Sequence, residues 1–205
     1  MSLHVLDPVR VVAITDRTMM GSTPAEFGAA IERAVAGCPP GSVLVQVREK
    51  DLDGKPLLEL ISIARRYTRV IVNDRVDVAL AAEAIAVHLP EDGLSVADAR
   101  AQFPGGIIGV SRHAPDAETG ADLVHLGPIW ETPSKPGKAA LGLDALRAPH
   151  GTAKLVAVGG VDTPERARDA AAAGADAIAI IRAAWEGSSL VPFVTAVDAG
   201  LALRS

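Results

Sequence analysis

Short runs of β-branched and other apolar residues recur along the chain, and segments with helical or turn character separate them. This alternation is typical of βα units built around a parallel sheet. The predicted strands are Val11–Thr15, Val43–Val47, Val70–Val72, Ile85–Leu89, Ile107–Val110, Asp122–Leu126, Lys154–Val158 and Ala177–Ile181.

Capping residues and helix breakers mark the helices between these strands. Thr23 and Pro24 supply a cap and a first helical position, and Ser95 with Asp98 three residues later resembles a capping box. The predicted helices cover 24–35, 56–67, 75–83, a segment that Ser95 opens and that ends before 103, a segment between Thr163 and Gly174, and 190–203.

Two connections depart from this pattern. Residues 114–120 are too few for more than about two helical turns. Residues 127–142 form the longest irregular stretch and contain three prolines, Lys135 and Lys138. Because long loops without regular structure are usually functional in compact domains, we expect this stretch to belong to the functional site.

Eight strand-then-helix units in 205 residues predict an α/β fold of one domain over residues 1–205, a closed (β/α)8 TIM barrel. An open, doubly wound sheet is the alternative. The turn after the first predicted strand has no Gly-x-Gly-x-x-Gly pattern, which favours the barrel.

Composition and charge narrow the classes of function. Hydrophobic residues make up 49% of the chain, but no apolar run approaches the roughly 20 residues of a membrane span. A net charge of -5 and 3% aromatic residues do not favour a nucleic-acid partner. The single cysteine, Cys38, excludes an internal disulfide. Residues 1–10 lack a secretory signal, so we expect a cytoplasmic protein, whose oligomeric state, including a homo-oligomer, the sequence leaves open.

The second predicted strand and the residues after it carry the first candidate chemistry. If the strand continues to Lys50, Gln46, Arg48 and Lys50 share one face and valines occupy the other. An amide and two cations on one face suit an anion such as phosphate. An edge strand with a solvated polar face is the structural alternative.

Polar residues also gather where the other predicted strands end. The C-terminal strand ends of such a barrel form one mouth, where active sites lie. Cations, hydroxyls and glycine amides suit phosphate oxygens, and carboxylates suit Mg2+. A diphosphate with a bridging metal fits these residues, which are Asp16, Arg48, Lys50, Asn73, Asp74, Glu91, Asp92, Ser111, His113, Thr132, Ser134, Lys135, Gly159 and Gly160.

Eight motifs in register carry a family resemblance. They are VVAITDR, VQVREK, NDRVDVAL, VHLPED, IGVSRH, GPIWETPSKPG, VAVGGV and GADAIAII. In this order they resemble the thiamine-phosphate synthase and thiazole tautomerase superfamily over nearly the whole chain. For a synthase, the resemblance implies that hydroxymethylpyrimidine diphosphate loses pyrophosphate and that a thiazole phosphate captures the resulting cation.

The resemblance also implies roles for individual residues. Gln46, Arg48, Lys50 and Asn73 match contacts to the pyrimidine diphosphate, and Asp74 matches a Mg2+ ligand. The other matches are Ser111 and Lys135 near the pyrophosphate, Thr132 and Ser134 beside the thiazole, and Gly159 and Gly160 around the thiazole phosphate.

The chain departs from the synthase pattern in three places. Gly93 occupies the position of the family's second metal-binding aspartate, and a shifted loop would let Asp92 serve instead. Arg182 replaces a serine near the thiazole phosphate, and the segment after His113 is shorter than usual.

These departures keep two alternatives to the synthase open. One is the cofactor-free thiazole tautomerase, for which the resemblance implies that His113 is the acid/base. The other is a catalytically silent paralogue that binds phosphorylated ligands. Gln46, Lys50, Asn73 and Asp74 favour the synthase. We expect His88 and His125, which lie within strands, to fill the barrel interior.

Overall fold

Eight parallel strands close into a barrel, in which each strand pairs with the next in sequence and the last pairs with the first. The computed structural model describes residues 5–115, 120–132, 139–149 and 151–204. The strands are β1 (Val11–Ile14), β2 (Val43–Val47), β3 (Arg69–Asn73), β4 (Ala86–Leu89), β5 (Ile107–Arg112), β6 (Leu123–Leu126), β7 (Lys154–Val158) and β8 (Ala177–Ile180). The predicted (β/α)8 barrel is confirmed.

Helices return the chain to the start of the next strand around most of the barrel. They are α1 (Arg17–Met20), α2 (Pro24–Val35), α3 (Gly54–Ala64), α4 (Val76–Ala81), α5 (Val96–Gln102), α6 (Pro164–Ala173), α7 (Arg182–Glu186) and α8 (Val191–Ala202), with a 3-10 helix at Leu143–Arg147. The predicted caps are present: Thr23 forms a capping box with Glu26, and the Ser95 side chain accepts a hydrogen bond from the Asp98 amide. The sequence pattern did not indicate α1, α7 or the 3-10 helix.

Apolar side chains pack on both surfaces of the barrel wall, because successive strand residues face opposite ways. Val45 and Val47 face outward and join the layer between strands and helices. Val12, Leu44 and Ile71 face inward and close the barrel interior from the N-terminal side of the strands. In the described part of the chain no helix is long and apolar enough to cross a bilayer.

Two strand ends matter for the mouth: β2 ends where its predicted span ends, and β5 runs two residues past its predicted span. β2 ends at Val47, so the three residues after it, Arg48 to Lys50, belong to a loop. β5 continues to Arg112, which places Ser111 inside the barrel wall.

Candidate active site

The upper part of the barrel interior is polar. Five polar residues occupy inward-facing positions near the C-terminal strand ends, and they are Gln46, Asn73, His88, Ser111 and His125. The strand register places Asn73 beside His88 and Ser111 beside His125. This polar floor lies directly below the loops that carry the predicted cations and carboxylates.

Gln46 and Asn73 form one half of this floor. The Gln46 Nε2 atom donates a hydrogen bond of 3.0 Å to Asn73 Oδ1. The Gln46 Oε1 atom is buried and has no hydrogen-bond partner among the described residues. Buried polar atoms are almost always paired in native proteins, so an unpaired acceptor here indicates a position where a ligand or a water donates.

The loop after β2 does not continue the strand alternation that the sequence suggested. Arg48 is half-buried, Lys50 is exposed, and Glu49 between them is buried. The Glu49 carboxylate accepts hydrogen bonds from Thr15 Oγ1 (2.6 Å) and from the Arg17 amide (3.2 Å). The expectation that Gln46, Arg48 and Lys50 line one face of a continuous strand is therefore wrong, because Glu49 binds the end of β1 and turns the chain.

Glu49 is a site residue that the sequence analysis missed. The hydroxyl of Thr15 bonds to Glu49 and also accepts a 2.9 Å hydrogen bond from the Arg48 amide. The backbone of Arg48 is thus fixed at the rim by the residue that follows the neighbouring strand β1. The burial of Glu49 reveals this bracing role. In the sequence, Glu49 is a charged residue between two cations, which does not indicate that it is buried.

The Arg48 guanidinium has no counter-ion in the part of the chain that the structure describes. No hydrogen bond or ion pair to its side chain occurs within the described residues. Its positive charge acts on His88 below it, where it helps to lower the pKa of the imidazole. A half-buried arginine with no carboxylate partner is costly unless a ligand supplies the negative charge, and Arg48 therefore stays a candidate for an anion site.

His88 and His125 lie against each other on the other half of the polar floor. Their ring centroids are 4.0 Å apart, and both residues are buried, as the sequence led us to expect. Burial, and then the charge of Arg48, lowers the pKa of His88 to about 3. Burial also lowers the pKa of His125 well below its ordinary value. Both imidazoles are therefore neutral at physiological pH.

We expect this buried pair to make the fold sensitive to mild acid. The unfolded chain takes up the His88 proton near pH 6.5 and the folded chain only near pH 3. Stability is therefore retained above pH 6.5 and is lost as the pH falls towards 3. From pH 7 to pH 5, His88 alone should lower the free energy of unfolding by about 2 kcal/mol. Urea unfolding at the two pH values measures the loss, and a His88→Gln variant with an undiminished loss would contradict this origin.

Asp74 follows β3 in an unusual backbone conformation. Its φ is 67°, in the left-handed region that non-glycine residues rarely adopt, and its amide donates a 2.8 Å hydrogen bond to the His88 carbonyl. The carboxylate is exposed and forms no ion pair with a described residue. The adjacent cation, Arg75, binds Asp53 and Asp77 instead. Asp74 is therefore held at the mouth and available to a ligand.

The loop after β4 carries the position of the family's second aspartate. Gly93 closes a turn in which its amide bonds the Pro90 carbonyl at 3.1 Å. A Cβ atom on Gly93 would lie 2.8 Å from the Pro90 ring, so an aspartate there requires a different loop. Asp92 is exposed on this turn and forms no ion pair within the described chain.

His113 and Glu91 join the loops after β5 and β4. Both Glu91 carboxylate oxygens contact His113, one through the amide at 3.1 Å and the other through the imidazole Nδ1. The bond to the His113 side chain is the main reason that the pKa of Glu91 lies below its ordinary value. His113 therefore stands at the rim with its Nδ1 already engaged by a carboxylate.

The residues after β6 are only partly within the described structure. Thr132 is half-buried and lies at the end of a described segment. Ser134 and Lys135, which the resemblance placed beside the thiazole and the pyrophosphate, lie outside the described residues, and their roles stay predictions.

Gly159 and Gly160 follow β7 with φ values of 90° and 71°. A Cβ atom would lie 2.7 Å from Pro128 on the first and 2.6 Å from Trp130 on the second, so both positions require glycine. Backbone amides in turns form concave anion sites in many proteins, and a phosphate site is predicted at this turn. The loops after strands seven and eight are the usual phosphate site of these barrels.

Arg166 holds this glycine pair in place, and the sequence analysis did not identify it. Its Nη1 atom donates hydrogen bonds to the Gly160 carbonyl (2.7 Å) and to Asp162 (2.8 Å). Its guanidinium also lies 5.3 Å from the Trp130 ring centroid. Arg182 begins α7 after β8 and is exposed, so its side chain does not fill the barrel interior.

The carboxylates at the mouth suit a Mg2+ ion that also binds substrate phosphates, but within the described residues they do not form a complete protein-ligated metal site. No group of three or more His, Cys, Asp or Glu residues converges within the described chain. Mg2+ commonly uses one or two protein carboxylates together with substrate phosphates. The unpaired Asp74 carboxylate meets that requirement, and the exposed Asp92 lies on the neighbouring loop.

Comparison with known proteins identifies relatives over most of the chain. A family model described as thiamine monophosphate synthase matches residues 11–184. The thiamine-phosphate synthase of Chloroflexus aurantiacus is 39% identical over 193 residues, which covers 88% of this chain and 86% of the relative. A putative thiamine-phosphate synthase of Geobacter sulfurreducens is 42% identical over 190 residues, covering 83% and 84%.

A solved structure supports the same fold. The thiamine phosphate pyrophosphorylase of Pyrococcus furiosus superimposes with a TM-score of 0.75 at 24% identity, covering 97% of this chain and 98% of that one. At this level of identity the likeness extends to the barrel architecture.

Proposed function

The chain belongs to the thiamine monophosphate synthase family, and from this premise we propose how its barrel mouth works. The protein is a thiamine-phosphate synthase, a transferase that joins hydroxymethylpyrimidine diphosphate to a thiazole phosphate and releases pyrophosphate in thiamine biosynthesis. The observation that carries the proposal is Arg48, a half-buried cation with no counter-ion among the described residues, above a neutral polar floor.

Arg48 and Lys50 are the proposed groups for the leaving pyrophosphate. Negative charge builds up on the pyrophosphate as its bond to the pyrimidine methylene carbon breaks, and fixed cations stabilise that charge. Arg48 is positioned before the ligand arrives, because Thr15 and Glu49 fix its backbone. Gln46 and Asn73, which bond to each other, are the proposed contacts to the pyrimidine.

Asp74, with Asp92 as the second candidate, would hold Mg2+ together with substrate phosphates. Bound there, the metal would neutralise part of the diphosphate charge. Asp74 suits this role because its neighbour Arg75 is already neutralised by Asp53 and Asp77.

Gly159 and Gly160 are the proposed cradle of the thiazole phosphate, and Thr132 and Ser134 the proposed contacts to the thiazole. Exposed Arg182 would add a donor at the same rim. The backbone amides of this glycine pair belong to a loop that Arg166 holds through a hydrogen bond to the Gly160 carbonyl.

We expect Arg166→Met to raise the KM for thiazole phosphate about tenfold and to leave the KM for the pyrimidine diphosphate within a factor of two. The substitution removes the hydrogen bond that holds Gly160 and the charge that lies over Trp130. Arg168→Met is the matched control, because Arg168 lies on the same helix and binds exposed Asp169. Equal effects of both variants on this KM would contradict a role for Arg166 at the phosphate site.

Purified protein with pyrimidine diphosphate, thiazole phosphate and Mg2+ tests the proposed function. We expect pyrophosphate release that requires both substrates. Isomerisation of a thiazole carboxylate phosphate without metal, abolished by His113→Ala, would instead identify the tautomerase. Thermal stabilisation by the phosphates with neither reaction would identify a binding paralogue. A cytoplasmic location stays a prediction, as does a homo-oligomer.

A further inference from the structure

Ser111 has a hydrogen-bond partner inside the barrel that the reaction described above does not use. The His88 Nε2 atom lies 2.9 Å from Ser111 Oγ. The other ring nitrogen, His88 Nδ1, is buried and has no hydrogen-bond partner among the described residues. It faces Gly109, where a Cβ atom would lie only 2.7 Å away.

This arrangement favours one position for the imidazole proton. A neutral imidazole carries one N–H group and one acceptor nitrogen. A proton on Nδ1 would leave a buried N–H group unpaired, and unpaired buried N–H groups are rarer than unpaired acceptors. With the proton on Nε2, the single donor of the ring is satisfied by Ser111 Oγ. The unpaired Nδ1 lone pair against Gly109 is then the smaller cost.

We propose that His88 is a positioning residue for Ser111: it donates its Nε2–H to Ser111 Oγ and thereby directs the serine hydroxyl proton towards an anionic ligand at the mouth. The opposite arrangement would have the hydroxyl donate inward to His88 and present oxygen lone pairs to the anion. Ser111 is half-buried at the C-terminal end of β5, between the polar floor and the mouth. The inference rests on the proposed function, in which that anion is the leaving pyrophosphate.

The ring of His88 is held in this orientation from two sides. The ring of His125 lies against it, with centroids 4.0 Å apart. β5 lies between the strands that carry the two histidines, and its inward position at this level is Gly109, opposite His88 in the register. Because position 109 has no side chain, the two rings meet above β5, and the Gly109 backbone lies close to His88 Nδ1.

A double-mutant cycle on pyrophosphate release tests the inference. Its variants are His88→Met, Ser111→Ala and the two combined, and His88→Gln is the matched control because glutamine keeps an N–H donor on a side chain of similar length. We expect His88→Met to lower kcat about tenfold with little change in KM, and His88→Gln to recover most of that loss. In the Ser111→Ala background, His88→Met should lower kcat less than twofold, because the serine hydroxyl through which His88 acts is absent.

An equal cost of His88→Met in both backgrounds would overturn the proposal, because a purely structural role does not depend on the serine hydroxyl. Nitrogen-15 NMR of histidine-labelled wild-type protein gives a readout that needs no turnover. We expect the His88 signals, assigned by their loss in His88→Gln, to show the neutral Nε2–H tautomer, and the Nδ1–H tautomer would overturn the proposal. If wild-type protein released no pyrophosphate, the proposed function would fail, and the tautomer would still decide the assignment of His88.

Discussion

Replacing Arg48 with methionine should lower the turnover of the synthase reaction by two to three orders of magnitude and change the free energy of unfolding by less than about 1 kcal/mol. The guanidinium has no carboxylate partner among the described residues, so its removal breaks no ion pair of the free protein. The hydrogen bond that fixes this loop uses the Arg48 backbone amide, which the substitution keeps. The loss should therefore appear in the transition state for pyrophosphate departure.

The matched control for Arg48 is Arg75, a cation that follows the next strand. Its charge is already used by Asp53 and Asp77, so we expect Arg75→Met to change turnover less than threefold. Lys50→Ala should likewise lower turnover more than it affects folding, because the exposed ammonium has no described partner. Similar turnover in Arg48→Met and Arg75→Met would remove Arg48 from the mechanism, and unchanged turnover in Lys50→Ala would remove Lys50.

Replacing Asp74 with asparagine should lower turnover about a hundredfold at a fixed Mg2+ concentration and raise the Mg2+ concentration needed for half-maximal rate. Asparagine tolerates the left-handed backbone conformation at this position, so the fold should keep its stability. The substitution removes one negative charge from a carboxylate that makes no ion pair in the described structure.

Asp77→Asn is the control for Asp74, because Asp77 is a carboxylate on the adjacent helix that is occupied by Arg75. We expect its Mg2+ dependence to match that of the wild type. Chelation of the metal should abolish pyrophosphate release by the wild type. Adding Mg2+ back should restore it. A Mg2+ titration of Asp74→Asn that superimposes on the wild-type curve would show that Asp74 is not the ligand.

The features that could be predicted from the sequence are those set by residues close together in the chain. The eight strands and the caps at Thr23 and Ser95 depend on neighbours a few residues away, and the structure has them where the sequence indicated, with β5 two residues longer than predicted. The grouping of strand ends at one mouth follows from parallel strands in a closed barrel, so the neighbourhood of the site followed with the fold.

What could not be predicted depends on distant contacts. The burial of Glu49, which prevents Arg48 to Lys50 from continuing the strand alternation, is set by Thr15 and Arg17, more than thirty residues earlier in the chain. A pattern of alternating residues carries no information about such a partner. The same holds for Arg166, whose contacts with Gly160 and Trp130 bring together the ends of two strands.

Gly109 links the side chains that can occupy three neighbouring strands. A methyl group there would fall 2.7 Å from His88 and 3.2 Å from Leu123, so alanine fits only beside a smaller residue at position 88. Across natural sequences of this barrel, positions 88, 109 and 123 should therefore change together, and an imidazole at 88 should not coexist with any branched residue at 109. Directed evolution that varies one of the three alone would meet a steric barrier, whereas libraries that randomise all three at once would pass it.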